Sequence, residues 1–343
     1  MFENIVGNEK VKEHLQRVLK ARRVPHSLLF TGPEGVGKRL FAVELAKGVL
    51  CSSAADGVGC GVCSSCIRAD AFEFPKPDDK DGHEKVIFSR HADVGTIIPY
   101  NKNLLVKAVR DLESEANFRP YEGAARFFIV DDADKMNEAA SNALLKTLEE
   151  PPATSYIFLI SSRPDALLPT IRSRCQTLRF RPVSTAEVSE FLSSSNKVLP
   201  EDIPLAARLA EGSIGRAMHL DITRYRDSRK AMLEVLEAAI VNSDAAELLC
   251  LGETMNDAKH KDDFEANLNI LKTLLHDVWL IGLGKGDSIV NIDERPRLET
   301  VTGNTTQRNI ARVIAAIEEV QENFAVNINR KLATDSLFAR MAA

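Results

Sequence analysis

The sequence lacks the features of a membrane protein or a secreted one. No apolar run approaches the roughly 18 residues that a bilayer-spanning helix needs, and the N-terminal stretch MFENIVGNEK is too polar for a secretory signal. We therefore expect a cytoplasmic protein. An excess of positive charge is absent as well, because 49 Asp and Glu residues outnumber 44 Lys and Arg residues and give a net charge of −5. Any contact with DNA is therefore expected from a local patch or from a complex.

Strand-like segments are scarce, and they stop about half-way along the chain. Three short apolar runs predict buried strands: residues 27–30, 126–130 and 156–160. Residues 85–89 and 95–99 are further candidates for short strands. Helical segments alternate with them, and this alternation predicts a parallel sheet. Beyond about Pro182 helical spacing dominates, as in the apolar stripe over residues 310–324. We predict an α/β domain over residues 1–182, a small helical domain over 183–225 and a second helical domain over 226–343.

A glycine-rich loop follows the first predicted strand. The segment GPEGVGK matches the first seven positions of the Walker A pattern, and Gly32, Gly35 and Gly37 allow backbone N–H groups to turn inward around phosphate oxygens. Lys38 would reach the β- and γ-phosphates of a nucleotide. The eighth position normally holds a Ser or Thr hydroxyl that binds Mg²⁺. Here it holds Arg39, which is unable to ligate a cation.

Two acidic residues follow the strand over residues 126–130, at the place of a Walker B pair. Asp131 is able to hold Mg²⁺, directly or through water. The second acid is usually a Glu that positions the attacking water. Asp132 is one methylene shorter, and a misplacement of about 1 Å costs on the order of 100-fold in rate. Arg39 and Asp132 together predict that the chain binds ATP or ADP without useful hydrolysis, or binds no nucleotide because the loop is only an inherited fold element.

Four of the cysteines crowd into residues 51–66. Their spacing is Cys51-x8-Cys60-x2-Cys63-x2-Cys66, and the two overlapping C-x2-C steps have the close spacing of zinc ligands. Because thiolates of the protein would fill all four positions of a tetrahedral zinc ion, we predict a structural site and not a catalytic one. The alternatives are buried free thiols, which the surrounding Ser, Gly and Asp residues disfavour, and an iron–sulfur cluster.

Two further motifs follow the acidic strand end: NALLKTLEEPP at residues 142–152 and SRC at residues 173–175. Together with the Walker A loop and the cysteine module that precede them, they resemble the bacterial clamp-loader subunits, to which both motifs are highly specific. The resemblance covers most of the chain, is strongest over residues 2–180 and returns at residues 327–332. The segment over residues 72–82 is longer and more acidic than the family leads us to expect, and no function is assigned to it.

The resemblance implies an AAA+ α/β domain with an inserted zinc module, a helical lid over residues 183–225 and a C-terminal collar domain that joins a multi-subunit complex. The expected partners are the ATPase (gamma/tau) and delta subunits, the sliding clamp and primed DNA. Arg39 and the Asp131–Asp132 pair resemble the branch of the family that hydrolyses little or no ATP. The rival interpretations are an active gamma/tau-type ATPase and a stand-alone nucleic-acid-binding zinc protein, which the acidic balance disfavours.

The resemblance also assigns roles to two arginines. Arg174, in SRC, is expected to act in trans as an arginine finger on the γ-phosphate held by a neighbouring subunit, since a guanidinium stays charged and bridges oxygens bidentately. Arg216, in GSIGR, falls at the sensor-2 position of the nucleotide site. The alternatives are an ion-pair residue inside the domain for Arg174 and a surface arginine beside a turn for Arg216.

Overall fold

The structure is a computed structural model that describes Phe2 and residues 5–55, 57–242, 244–255, 264–324 and 330–342. The chain forms two compact units: Met1–Lys197 together with Ala210–Met218, and Val198–Leu209 together with His219–Ala343. The first unit carries the sheet and every predicted site residue. The division into three domains stays a prediction.

A six-stranded sheet forms the centre of the first unit. Its strands, in chain order, are β1 (Ser27–Thr31), β2 (Ile87–Phe88), β3 (Val94–Ile97), β4 (Arg126–Val130), β5 (Ser155–Ser161) and β6 (Gln176–Arg179). The spatial order is β2-β3-β4-β5-β1-β6, and all neighbours are parallel except β2 and β3. This arrangement confirms the predicted α/β class with its parallel sheet, and the three predicted strands are β1, β4 and β5.

Helices flank this sheet, and side-chain caps set where two of them begin. Those within Met1–Lys197 are α1 (Glu9–Lys20), α2 (Lys38–Leu50), α3 (Ser64–Asp70), α4 (Val106–Ala116), α5 (Glu138–Glu149), α6 (Pro169–Arg172) and α7 (Thr185–Ser195). The Asn137 side chain caps α5 by accepting a hydrogen bond from the backbone N–H of Ala140 at 2.9 Å. The helix ends before Pro151, whose ring is incompatible with a continuing helix. Ser184 and Glu187 form a capping box at the start of α7.

The central strands are buried on both faces, so successive residues pack against different helical layers. Phe127, Ile129 and Phe158 lie in a core that also contains residues of α1 and α2. Phe128 and Leu159 lie in a second core with residues of α4 and α5. The continuous apolar runs that predict these strands result from this two-sided burial. The parallel register also brings the loop after β1 to the same edge as the carboxyl ends of β4 and β5.

The rest of the described chain is helical. Its helices are α8 (Ile203–Leu209), α9 (Ile214–His219), α10 (Ile222–Leu236), α11 (Ala245–Met255), α12 (Phe264–Gly282), α13 (Arg295–Gly303), α14 (Gln307–Phe324) and α15 (Arg330–Ala342). The predicted stripe on α14 is confirmed at Ile310, Val313 and Ile317, which are buried in the core of the second unit. Residues 327–329 of the family-like segment lie outside the described residues. Among the described residues, none of the helices has both the length and the apolarity that crossing a bilayer requires.

Candidate functional site

The predicted phosphate loop joins β1 to α2. Gly37 is the N-cap of α2 and has a φ of 92°, in the left-handed region that residues with a Cβ rarely adopt. A Cβ on Gly32 would lie 2.5 Å from the carbonyl oxygen of Phe180, so this position also requires glycine. Gly35 lies between them in the same turn, with a φ of 72°. The loop therefore leads into the N-terminus of α2, where backbone N–H groups without helical partners favour an anion.

The Lys38 amine is bound by the loop itself. Its Nζ donates hydrogen bonds to the carbonyl oxygens of Gly32 at 2.5 Å and Pro33 at 2.6 Å. Burial lowers the pKa of Lys38, although the charges of Asp131 and Asp132 oppose this shift. A phosphate group would therefore have to draw the amine away from two carbonyl oxygens of its own loop.

Arg39 and Asp131 form an ion pair at the carboxyl end of β4. Arg39 Nη1 lies 3.4 Å from Asp131 Oδ2, and both side chains are largely buried. Burial raises the pKa of Asp131, and the charge of Arg39 opposes this shift. The structure thus brings Lys38, Arg39 and Asp131 together, as the motif order predicts. Asp131, which is predicted as a metal ligand, is therefore paired with Arg39, the residue at the eighth position of the loop.

The other two acids of the DDAD run have different partners. Asp132 has a left-handed backbone, with a φ of 47°, and its carboxylate lies 2.7 Å from the Lys135 amine. Asp134 accepts hydrogen bonds from Ser161 Oγ at 2.8 Å and from the backbone N–H of Ser162 at 3.2 Å. Sequence reasoning missed Ser161 as a residue of this site. Its one visible sign is a polar side chain directly after an apolar strand run, at the sheet edge that carries the phosphate loop.

The start of α9 touches the phosphate loop through its backbone. The N–H of Gly215 donates a hydrogen bond to the carbonyl oxygen of Gly35 at 2.9 Å. The next residue, Arg216, forms an ion pair with Glu211 at 2.5 Å, and about half of its side chain is exposed. The structure thus places Arg216 at the rim of the loop with its guanidinium against Glu211, and its nucleotide-binding role stays a prediction.

The four predicted cysteine ligands come together in one cluster. Cys51 follows α2, Cys60 and Cys63 precede α3, and Cys66 lies within α3. All four Sγ atoms lie within 4.8 Å of one another. Cys51 Sγ and Cys63 Sγ are 3.7 Å apart, which agrees with the edge of about 3.8 Å in a tetrahedron with Zn–S bonds of about 2.3 Å. The cluster is therefore positioned to hold a metal ion.

Backbone N–H groups support the sulfur atoms of this cluster. The N–H groups of Ser53 and Cys60 each donate to Cys51 Sγ at 3.3 Å, and the N–H of Cys63 donates to Cys60 Sγ at 3.3 Å. Hydrogen bonding led by the backbone N–H of Cys66 lowers the pKa of Cys63 to about 6, whereas burial raises the pKa of Cys66. Since the thiolate is the form that binds a metal, these donors fit a metal-binding cluster.

Arg174 follows α6 and is held within its own chain. Its Nη2 lies 2.5 Å from Glu149 Oε1 at the end of α5, and its Nη1 donates a hydrogen bond to the carbonyl oxygen of Thr170 at 2.9 Å. The side chain is 34% exposed. The next residue, Cys175, is buried, and burial raises the pKa of its thiol to about 12. The structure thus contains an ion pair at Arg174, and a role in trans stays a prediction.

Comparison with known families decides where this combination of loop, cysteine cluster and SRC motif belongs. The sequence profile of the family described as DNA polymerase III, delta subunit matches residues 7–184, slightly more than half of the chain. The chain belongs to the DNA polymerase III delta-subunit family. The resemblance to bacterial clamp-loader subunits that the motifs indicate is thereby confirmed.

Relatives of this delta-family chain align over nearly its whole length. DNA polymerase III subunit delta' of Bacillus subtilis (strain 168) is 26% identical over 321 residues, with 93% of this chain and 92% of the relative covered. The delta' subunit of Escherichia coli (strain K12) is 28% identical over 333 residues, with 96% and 92% covered. The tau subunit of Salmonella typhimurium is 26% identical over 318 residues, but these cover 86% of this chain and only 47% of the relative.

Proposed function

We propose that this delta-family chain is the delta-prime subunit of a clamp loader. In this role it assembles with an ATPase (gamma/tau) subunit and a delta subunit to load a sliding clamp onto primed DNA, and it hydrolyses little or no ATP itself. The family match and the two delta' relatives of similar length support the assignment. The observation that carries the proposed lack of hydrolysis is the ion pair between Arg39 and Asp131.

This ion pair matters because phosphoryl transfer depends on a metal ion and on a positioned water molecule. Arg39 replaces the hydroxyl that would bind Mg²⁺, and its guanidinium lies against Asp131, the other predicted metal ligand. The carboxylate of Asp132 pairs with Lys135. Both acids at the end of β4 therefore already have a cationic partner, which supports a nucleotide site without useful hydrolysis.

The remaining parts of the predicted site fit the same proposal. Gly32, Gly35, Gly37 and Lys38 would cradle the phosphates of ATP or ADP, with Asp131 and Arg216 at the rim of this degenerate site. Residues 183–225 would act as a lid and residues 226–343 as the collar domain. Arg174 would exchange Glu149 for the γ-phosphate bound by the adjacent subunit.

For the cysteine cluster we propose zinc as the metal. Four cysteines whose Sγ atoms lie within 4.8 Å of one another match the ligand set of structural zinc, and the 3.7 Å between Cys51 Sγ and Cys63 Sγ agrees with a tetrahedral edge. Because all four ligands come from the protein, the ion has no open position for a reacting water molecule. Its role is to fix the chain between α2 and α3.

Reconstitution with the ATPase and delta subunits tests the proposed function. We expect the chain to enter a complex that loads clamps, and we expect phosphate release by the isolated chain to stay near background. Lys38→Ala should change clamp loading little, as should Lys102→Ala, a control in an exposed turn. Turnover by the isolated chain of about 1 per second or more, lost in Lys38→Ala, would identify an active gamma/tau-type ATPase instead. A chain that joins no such complex would contradict the proposal altogether.

A further inference from the structure

The geometry points to a site for a nucleoside di- or triphosphate that works without a divalent cation. Arg39 supplies the positive charge at Asp131 where a nucleotide-bound Mg²⁺ would otherwise be held, and the aromatic pair Phe72–Phe74 fixes the guanidinium there. The inference rests on the proposed role of the phosphate loop and goes beyond it, because it names the ligand class and the counterion. It also gives a role to the start of the segment over residues 72–82.

Three groups surround the Arg39 guanidinium. Its Cζ lies 4.5 Å from the ring centroid of Phe74 and 5.0 Å from that of Phe72. The two rings are stacked, with their centroids 5.8 Å apart. The third group is Asp131, whose Oδ2 lies 3.4 Å from Arg39 Nη1. A guanidinium is suited to this combination because it stacks on aromatic rings and bonds a carboxylate at the same time. Arg39 is therefore held beside Asp131 from several directions.

The aromatic pair is itself anchored to the sheet and to α2. Phe72 pairs with Ser89 in a β-bridge next to β2. It also lies two residues after Asp70, the last residue of α3, which pairs with Lys47 of α2. Because α2 begins at the phosphate loop, the helix that carries Arg39 also helps to place the rings that hold it. The contact is thus built into the packing of the first unit.

Electrostatics then determines what the site accepts. A metal ion that approaches Asp131 meets the positive charge of Arg39, so the residues present do not fit the Mg²⁺ that a Walker A loop ordinarily uses. A polyphosphate meets two cationic side chains, Lys38 and Arg39, together with the N-terminus of α2. Guanidinium groups also bind phosphate oxygens bidentately. The chain's own side chains therefore supply part of the positive charge that a metal ion would otherwise bring to a bound nucleotide.

Calorimetric titration of the full chain with ADP and with a non-hydrolysable ATP analogue tests this inference, in excess Mg²⁺ and in EDTA. The wild-type Kd should differ between the two conditions by less than about tenfold. Arg39→Thr removes the guanidinium and restores a hydroxyl at the eighth loop position. In this variant we expect the Kd in EDTA to rise by about tenfold or more and Mg²⁺ to restore binding.

A matched pair of exposed phenylalanines separates the aromatic contact from a general effect on folding. Phe74 is 47% exposed and contacts Arg39, whereas Phe118 is 53% exposed and follows α4. Phe74→Ala should increase the dependence of nucleotide binding on Mg²⁺, and Phe118→Ala should leave it as in the wild type. Electron paramagnetic resonance of added Mn²⁺ with nucleotide should detect a bound ion in Arg39→Thr and none in the wild type.

Three results would overturn the inference. The first is wild-type binding that requires Mg²⁺, and the second is nucleotide binding by neither the wild type nor Arg39→Thr. The third is binding by Arg39→Thr alone, because Arg39 would then block the site. None of these results bears on assembly or clamp loading in the reconstituted complex, so the proposed function is tested separately.

Discussion

Replacing Arg174 by Ala separates a role in trans from a structural ion pair. Within the chain, Arg174 pairs with Glu149 and donates to the carbonyl oxygen of Thr170. The arginine side chain is 34% exposed and that of Glu149 is 48% exposed. A pair this accessible to solvent contributes about 1 kcal/mol or less to stability, and the hydrogen bond adds about 1 kcal/mol. Arg174→Ala should therefore fold and assemble normally.

The expected effect on the partner's ATPase is much larger. An arginine finger contributes about 10³–10⁵ in rate in some GTPases, and the lower bound corresponds to about 4 kcal/mol of transition-state stabilisation. If Arg174 acts in trans, Arg174→Ala should strongly depress the DNA- and clamp-stimulated ATP hydrolysis at the site of the neighbouring subunit. This loss of rate should be far larger than the small loss of stability explains. The assay is phosphate release by the reconstituted complex at saturating ATP, with assembly checked by size-exclusion chromatography.

Glu149→Gln is the matched control, because it breaks the same ion pair and leaves Arg174 in place. A trans role predicts that Glu149→Gln retains stimulated hydrolysis while Arg174→Ala loses it. Arg174→Lys should rescue poorly, since lysine keeps the charge but lacks the planar fork. The reasoning is refuted if Arg174→Ala assembles fully and the complex hydrolyses ATP and loads clamps at the wild-type rate. Equal losses in both variants would assign Arg174 to the ion pair alone.

Three further predictions concern metal content and stability. Protein purified without chelator should contain about one zinc ion per chain. Cys63→Ser should lose this ion and show faster amide hydrogen exchange over residues 51–66. A metal-free wild type would contradict the zinc proposal. Asp93 is fully buried, accepts hydrogen bonds from three backbone N–H groups and forms an ion pair with the buried Arg126, so Asp93→Asn should lower the free energy of unfolding by about 3–5 kcal/mol. In urea titrations the exposed control Asp165→Asn should change the free energy of unfolding by less than about 0.5 kcal/mol. Equal losses in Asp93→Asn and Asp165→Asn would refute the argument. Asn137→Ala should cost about 1 kcal/mol through loss of the α5 cap, and an unchanged denaturation midpoint would show that the cap contributes nothing.

The elements that sequence reasoning found are those marked by a local pattern. The apolar runs of β1, β4 and β5, the glycines of the phosphate loop and the four cysteines are each visible within a few residues. The strand β6 (Gln176–Arg179) was missed because it lies at the edge of the sheet and only Leu178 is buried. An exposed edge strand has no apolar run to mark it.

The contacts that determine the chemistry of the site are long-range, and no local pattern encodes them. The sequence places Arg39 at the eighth loop position but does not show that Phe72 and Phe74 enclose it. It marks Ser161 only as a polar side chain after an apolar run and does not show that the Ser161 hydroxyl donates a hydrogen bond to Asp134. These pairs depend on the order of strands in the sheet, which brings residues distant in the chain to one edge.

The alternation of the central strands between two cores has a consequence for genetics. Substitutions at Phe127 or Ile129 disturb the layer that contains α2, the helix that begins at the phosphate loop. Substitutions at Phe128 or Val130 disturb the layer that contains α5, the helix that ends at the partner of Arg174. Destabilising substitutions in β4 should therefore fall into two groups, one at odd-numbered and one at even-numbered positions. Second-site changes in α2 should rescue the first group, and changes in α5 should rescue the second.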